Sequence, residues 1–347
     1  MSGAAPGARV LINARAAARP ELGGVERWTP ELVAGLLALR PERYAVARPP
    51  AALTHRAGHA WEQALLPLRA RSAALLLGPA NLAPLAFPRN VVVIHDAAPL
   101  RHPEWYSPAY AAWQRRVLPA LARRALHVVT VSEFSRGELA GLLDLAHEHI
   151  SVVAGGVDPA FRPDADAGRA RAALGLTRPY VLCVASQTAR KNLRALVPAA
   201  RALAADGVEV VVAGGHRPQF AREQGLETLR HLGAVPDALL PGLYAGAEAF
   251  ALPSLYEGFG LPVLEAMACG APVVASDVTA LPDTAGGAAR LVPPDAVSDT
   301  VCEVVRSPAE RARLRAAGLA RAAPFTWDRS AREVDALLSA RVASPRA

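Results

Sequence analysis

Residues 249–276 read AFALPSLYEGFGLPVLEAMACGAPVVAS, and the order of residue types in this stretch decides the fold. Ala249 to Leu252 is a short apolar run of strand length. A turn holding Gly258 and Gly260 follows, and Leu261 to Cys269 reads as a helix with Pro262 in its first turn and Gly270 closing it. Val273 to Ala275 then begins a second β-branched run. Strand, helix and strand in this succession make a crossover of a parallel sheet. The glycine turn then lies beyond the carboxyl end of a strand, where such sheets bind ligands.

The same alternation extends along the chain. Further strands are expected at Val10 to Asn13, Ala74 to Leu77, Val91 to Ile94, Val128 to Val131, Ile150 to Val153, Tyr180 to Ala185, Val208 to Ala213 and Ala289 to Val292. Helices are expected at Glu26 to Leu39, Ala109 to Ala125, Arg136 to Leu143 and Leu193 to Ala205. The loop-like GGVDPAFRPDADAGR, Gly155 to Arg169, separates two such series. The expected domains are therefore 1–165 and 166–325, with a C-terminal helix at 326–347 crossing back to the N-terminal domain and ending in a frayed tail.

At 347 residues and 52% hydrophobic content, the chain has enough apolar material for two cores. Its 38 basic side chains are 37 Arg and a single Lys, Lys191, and the net charge is +7. Residues 1–163 carry 18 Arg against 12 acids, whereas 164–347 carry 20 bases against 19 acids, so the surplus belongs to the N-terminal half. No basic block interleaves with aromatics in the way that grips a nucleic-acid backbone. Cys183, Cys269 and Cys302 form no CxxC and read as buried free thiols of a reducing compartment. The N-terminal apolar run is too short for a signal peptide, and the uncharged window Ser72 to Pro88 is broken by prolines, so no export signal or membrane span is expected. His147 and His149, two apart, make no convincing metal site.

The polar residues that follow strands are the candidates for chemistry. In the quoted stretch, backbone amides near Gly258, Phe259, Gly260 and Leu261 and the positive end of the helix can face an anion such as a diphosphate. Glu257 and Glu265 on either side can accept bonds from sugar hydroxyls. On spacing alone, Glu265 could equally complement the helix dipole and Glu257 be a solvated loop acid. Arg190 and Lys191 follow YVLCVAS through a short loop, which sets two cations at the rim of the cleft that two such sheets facing one another would enclose, able to stabilise a leaving diphosphate. His95 follows VVVI, and Ser132 and Glu133 follow HVVTV, where Ser132 also suits a helix N-cap. Gly23 and Gly24 precede a helix and could let a phosphate or an acceptor approach.

EGFGLPVLEAMACGAPVVAS resembles the E-x7-E signature of the retaining glycosyltransferase family 4. VIHDAAPLRHPEWYSPAYAAWQRRVLPALARRALHVVTVSEFSRGEL, SVVAGGVD, ARKNL and LGAVPDALLPGLYAGAEAFALPS follow that family's order and spacing, from Gly23 to about residue 330. The resemblance implies an α/β fold of GT-B type, two Rossmann-like parallel-sheet domains facing across a cleft. The N-terminal one would bind the acceptor and the C-terminal one the nucleotide sugar. By the same resemblance His95, Arg190, Lys191 and Glu257 are the catalytic set. Gly23, Gly24, Ser132, Glu133, Val235, Gly258, Phe259, Gly260, Leu261 and Glu265 are the donor-binding set. Glu265 would hold the ribose, and the Leu232 to Asp237 stretch would bracket the base through its backbone. Asp164 and Asp166 form a DxD of the kind that holds a metal in other glycosyltransferase architectures, but they end no buried strand and read as linker acids.

The implied activity is transfer of a hexose, with retention, from a nucleotide diphosphate sugar to a glycan, lipid-linked or natural-product acceptor, without cofactor or metal. GDP-mannose is the expected donor, because the N-terminal block resembles bacterial mannosyltransferases of polysaccharide assembly. UDP-glucose, other GDP- or UDP-sugars and dTDP-rhamnose stay open. The alternatives are a nucleotide-sugar 2-epimerase and a non-catalytic sugar-nucleotide-binding subunit. The expected location is cytoplasmic, with peripheral attachment to the inner membrane face left open.

Overall fold

The computed structural model describes residues 10–18, 24–50, 53, 58–215 and 224–343. Its strands form two six-stranded parallel sheets. The first comprises β1 (Val10–Asn13), β2 (Tyr44–Ala47), β3 (Leu75–Gly78), β4 (Asn90–Val93), β5 (His127–Thr130) and β6 (Ile150–Val152), ordered β2-β1-β3-β4-β5-β6. The second comprises β7 (Tyr180–Val184), β8 (Glu209–Ala213), β9 (Arg230–Gly233), β10 (Ala249–Leu252), β11 (Val273–Ser276) and β12 (Arg290–Val292), ordered β12-β11-β10-β7-β8-β9. The strand order of the second sheet turns back between β7 and β10, which is where doubly wound sheets leave a crevice at their carboxyl ends.

Burial on both faces explains the near-continuous apolar strands. Along β7, Tyr180 and Leu182 face one core with Phe250, Leu252 and Met267, while Val181 and Cys183 face the other with Leu203, Val212 and Val301. β2 and β9 escape the sequence reading. Both are edge strands, β2 being two alanines short of a clear run and β9 a half-exposed Arg-His-Leu-Gly. Cys183, Cys269 and Cys302 are buried free thiols. No helix among the described residues is long and apolar enough to cross a membrane.

The chain divides into two compact units. One takes the described residues up to Leu100, then Ala112–Gly156, then those from Thr326 on, and the other takes Arg101–Ala111 and the described residues of Val157–Phe325. The passage falls at Gly156 and Val157, upstream of the residue 165 read from sequence, because Val157 and Phe161 already pack in the second unit's core. The linker's DxD is taken up locally. Asp166 caps the short helix Ala167–Ala173 by accepting from the Arg169 amide at 2.8 Å, and exposed Asp164 pairs with Arg162.

In the first unit, α1 (Gly24–Leu39) packs against the last helix, Trp327–Ala343. Trp28 and Trp327 meet edge to face at 6.1 Å, and Asp335 is buried where the two elements join β2. Asp335 accepts from the Tyr44 hydroxyl and lies 3.2 Å from both Arg43 and Arg40. Burial, and then the Asp335 bond, push the Tyr44 phenol well above its usual range, so it remains a donor. Asp335→Ala leaves that hydroxyl without its acceptor and Arg43 without its carboxylate partner, though still bonded to Ser339 Oγ at 2.6 Å, and is expected to cost about 3 kcal/mol, against about 1 kcal/mol for Tyr44→Phe. Urea unfolding of the two variants measures the difference.

Candidate active site

The second unit builds its polar cluster from loops after three adjacent strands, β7, β10 and β11. After β7, Ala189–Lys191 is a single 3-10 turn, and Asn192 reverses the chain in a left-handed conformation with φ 50°. Asn192 is tied across to the neighbouring loop by a 3.1 Å bond from Nδ2 to the Pro253 carbonyl. The next residues, Leu193–Leu196, form a further 3-10 turn, and the α-helix expected from Leu193 begins only at Val197. This double turn swings Lys191 inward. It is 8% exposed, so it is a buried cation and not the rim residue expected from sequence.

After β10, the loop carries Ser254, Tyr256 and Glu257, all buried. Glu257 Oε1 accepts from Lys191 Nζ and, at 2.6 Å, from Ser254 Oγ. Its Oε2 lies 3.4 Å from an Arg190 guanidinium nitrogen, and that same nitrogen donates to the Tyr256 carbonyl at 2.9 Å. The peptide of Glu257 is clamped by the loop after β11. Its N–H donates to Thr279 Oγ1 at 2.9 Å, and its carbonyl accepts from the Ala280 N–H at 3.4 Å. Thr279 adopts φ 55°, a conformation that costs a β-branched residue of order 1–3 kcal/mol and persists where its surroundings enforce it.

The electrostatics follow from this packing. Burial works to neutralise Glu257, but Lys191 and Arg190, helped by the Ser254 hydroxyl, outweigh it and hold the carboxyl below the usual carboxylate range. Burial is also the main influence on Lys191; with Arg190 alongside, it outweighs the attraction of Glu257 and lowers the ammonium below its ordinary value. Two basic side chains, Arg190 and Lys191, thus face the single carboxylate of Glu257.

The glycine turn leads into α2 (Leu261–Ala268). Gly260 precedes it at φ 95°, where a side chain would be strained and its Cβ would sit 2.6 Å from Leu281 Cδ2. Phe259 is partly buried on the core, and its carbonyl accepts from Thr284 Oγ1. Glu265 is the fifth residue of α2, beyond its first turn, and is buried with Oε2 accepting from Tyr244 OH at 2.9 Å. That removes the helix-dipole reading of Glu265. Val235 is half-buried against the same core.

The remaining candidates lie in the first unit. His95, beyond β4, is 8% exposed and meets Trp28 edge to face at 5.0 Å. Its N–H donates to Asn81 Oδ1 at 2.7 Å, and its Nε2 lies 3.1 Å from the Pro79 carbonyl, which sets the proton on Nε2 because a carbonyl only accepts. Its own carbonyl accepts from Ser135 Oγ at 3.1 Å. Ser132 caps Glu133–Leu143 through a 3.0 Å bond from the Ser135 amide, whereas exposed Glu133 turns to Arg136 along the helix. Gly24 opens α1, and Gly23 lies outside the described residues. Among the described residues no group of three or more His, Cys, Asp or Glu is placed to hold a metal ion.

Sequence reasoning missed Ser254, Thr279 and Tyr244. Ser254 stands three residues before Glu257 and was within reach of a reader asking what would hold a buried carboxylate. Thr279 and Tyr244 carry no local signal, because only the sheet brings their loop and helix to the site.

Residues 178–307 match the family described as Glycosyl transferases group 1, and residues 68–161 match Glycosyltransferase Family 4. Over 267 residues the chain is 33% identical to O-antigen chain mannosyltransferase B of Escherichia coli, a match covering 72% of this chain and 70% of that one. It is 30% identical over 264 residues to the Escherichia coli serotype-specific mannosyltransferase WbdA, covering 70% of this chain but 32% of the longer relative. Among solved structures, Anabaena HepE in complex with UDP and glucose shares the fold with a TM-score of 0.73 at 18% identity, covering 96% of this chain and 99% of that one. Two parallel six-stranded sheets of this kind make the GT-B fold. The chain belongs to glycosyltransferase family 4.

Proposed function

We propose that this glycosyltransferase moves mannose from GDP-mannose, with retention at the anomeric carbon, onto a hydroxyl of a glycan, lipid-linked or natural-product acceptor. The observation that carries the reading is the cluster of Lys191, Arg190 and Glu257 at the turning point of the second sheet. Its two basic side chains suit a diphosphate, which carries two negative charges in the donor and gains a third as the bond to the sugar breaks. Arg190 and Lys191 stabilise the leaving group, and with two cations in place no metal is required for that task. Glu257 orients the sugar's hydroxyls, the Gly258 to Leu261 turn supplies amides, and Glu265 binds the ribose. The acceptor oxygen bonds to the anomeric carbon on the face from which the diphosphate oxygen departs, and the departing phosphate takes the hydroxyl proton. The choice of mannose is supported by the two Escherichia coli relatives, both named as mannosyltransferases.

The test supplies purified protein with GDP-mannose, UDP-glucose or dTDP-rhamnose, with and without EDTA, and follows donor loss and product configuration by NMR. GDP-mannose is expected to turn over unchanged by EDTA, giving an α-linked product. Turnover of only a UDP- or dTDP-sugar overturns the donor. An inverted product overturns retention, and loss in EDTA restored by magnesium overturns metal independence. Conversion of the donor to its C2 epimer without acceptor would make the protein an isomerase.

A further inference from the structure

The cations and carboxylate of the cluster leave one neighbouring feature unused. Arg101–Ala111 groups with the second unit and carries Trp105, Tyr106 and Tyr110, three of the chain's 5 Trp and 6 Tyr. The His102 and Trp105 rings stack with centroids 4.0 Å apart and planes 20° from parallel. Both meet the Tyr256 ring edge-on, at 5.8 and 6.4 Å. Tyr106 and Tyr110 form a second stack at 5.5 Å and 23°. All four rings of the segment are part-exposed, whereas Tyr256 is buried.

Tyr256 connects this aromatic group to the chemistry. It directly precedes Glu257, and its carbonyl accepts from Arg190. Part-exposed Trp and Tyr offer flat apolar faces with polar edges at little conformational cost. A pyranose has the complementary surface, with C–H faces above and below and hydroxyls around its rim. A nucleotide base could also stack, but these rings adjoin the residue beside Glu257, which holds the sugar end of the donor. The donor brings a single hexose to that carboxylate, so a further sugar at the rings belongs to the acceptor.

We propose that His102, Trp105, Tyr106 and Tyr110 form a stacking platform for the sugar residues of a saccharide acceptor. This rests on the hexose-transfer reading and narrows its acceptor class from any hydroxyl compound to one that presents a glycan. The plain alternative is that the rings only brace Tyr256 and the loop behind it.

The test measures binding of octyl α-mannoside and of GDP separately, by saturation-transfer NMR and calorimetry, for the wild type, Trp105→Ala and Trp105→Phe. Trp105→Ala is expected to weaken mannoside binding about fivefold to tenfold. Trp105→Phe should restore most of it, and GDP affinity should stay within about twofold throughout, less than the loss of one good contact. No mannoside binding by the wild type, an unchanged mannoside affinity in Trp105→Ala, or an equal loss of GDP affinity each overturns the platform. Because binding is read without turnover, failure of hexose transfer itself shows independently, in the donor assay.

Discussion

Lys191→Met is expected to lower turnover about a hundred- to thousandfold and to cost about 3 kcal/mol of folding stability. The two losses have different causes. On the proposed mechanism, turnover falls because the leaving diphosphate loses one of its two basic partners. Stability falls because Glu257, 6% exposed, loses its Lys191 partner and is left with the 3.4 Å contact to Arg190 and the Ser254 hydroxyl against the cost of burial. Glu257→Gln separates them. It raises the local charge by one, so GDP should bind at least as tightly as to the wild type, while turnover drops because the sugar is no longer oriented by a carboxylate. The double variant Lys191→Met/Glu257→Gln should recover part of the stability lost in Lys191→Met. Calorimetry with GDP, urea midpoints and steady-state rates read all three. A Lys191→Met protein with wild-type rate and stability would remove the cluster from the mechanism.

Gly156→Ala is the second large effect, and it falls entirely on stability. A Cβ at this position would lie 2.2 Å from the Trp327 nitrogen and 2.4 Å from the Thr326 carbonyl carbon. Both are backbone atoms, so no side-chain rotation relieves the clash, and the last helix must move away from β6's trailing loop. That helix is also held by the 2.7 Å bond from Ser330 Oγ to the Ala154 carbonyl, which the shift would stretch. A loss of about 3 kcal/mol or more is expected, at the upper end for overpacking. A thermal midpoint within about 1 °C of the wild type would mean that the chain turns here with room to spare, since even 1 kcal/mol moves a protein of this size further.

Strands buried on both faces announce themselves, and VLIN, YVLCV and AFAL were placed within a residue or so of where they occur. β2 and β9 were not, since β2, Tyr-Ala-Val-Ala, has a single β-branched residue and the edge strand β9, Arg-His-Leu-Gly, a single apolar side chain. The single lysine and the carboxylate before the glycine turn were both picked out, yet the sequence treated them as separate surface groups meeting a ligand. Their direct pairing depends on β7 and β10 being neighbours, which the strand order decides and local sequence does not. The clamp by Thr279, 22 positions from Glu257, and the Tyr44–Asp335 bond across 291 positions were invisible for the same reason.

The return of Trp327–Ala343 to the first unit has a consequence for how the protein comes into being. The first unit's helix α1 needs a partner that is translated only after the whole of Val157–Phe325. During synthesis the first sheet must therefore wait, with the surface destined for Trp327 uncovered, while the second unit, contiguous apart from Arg101–Ala111, is made and can fold ahead of it. Truncation before residue 327 should consequently yield a chain whose early half aggregates even though most of its residues are present.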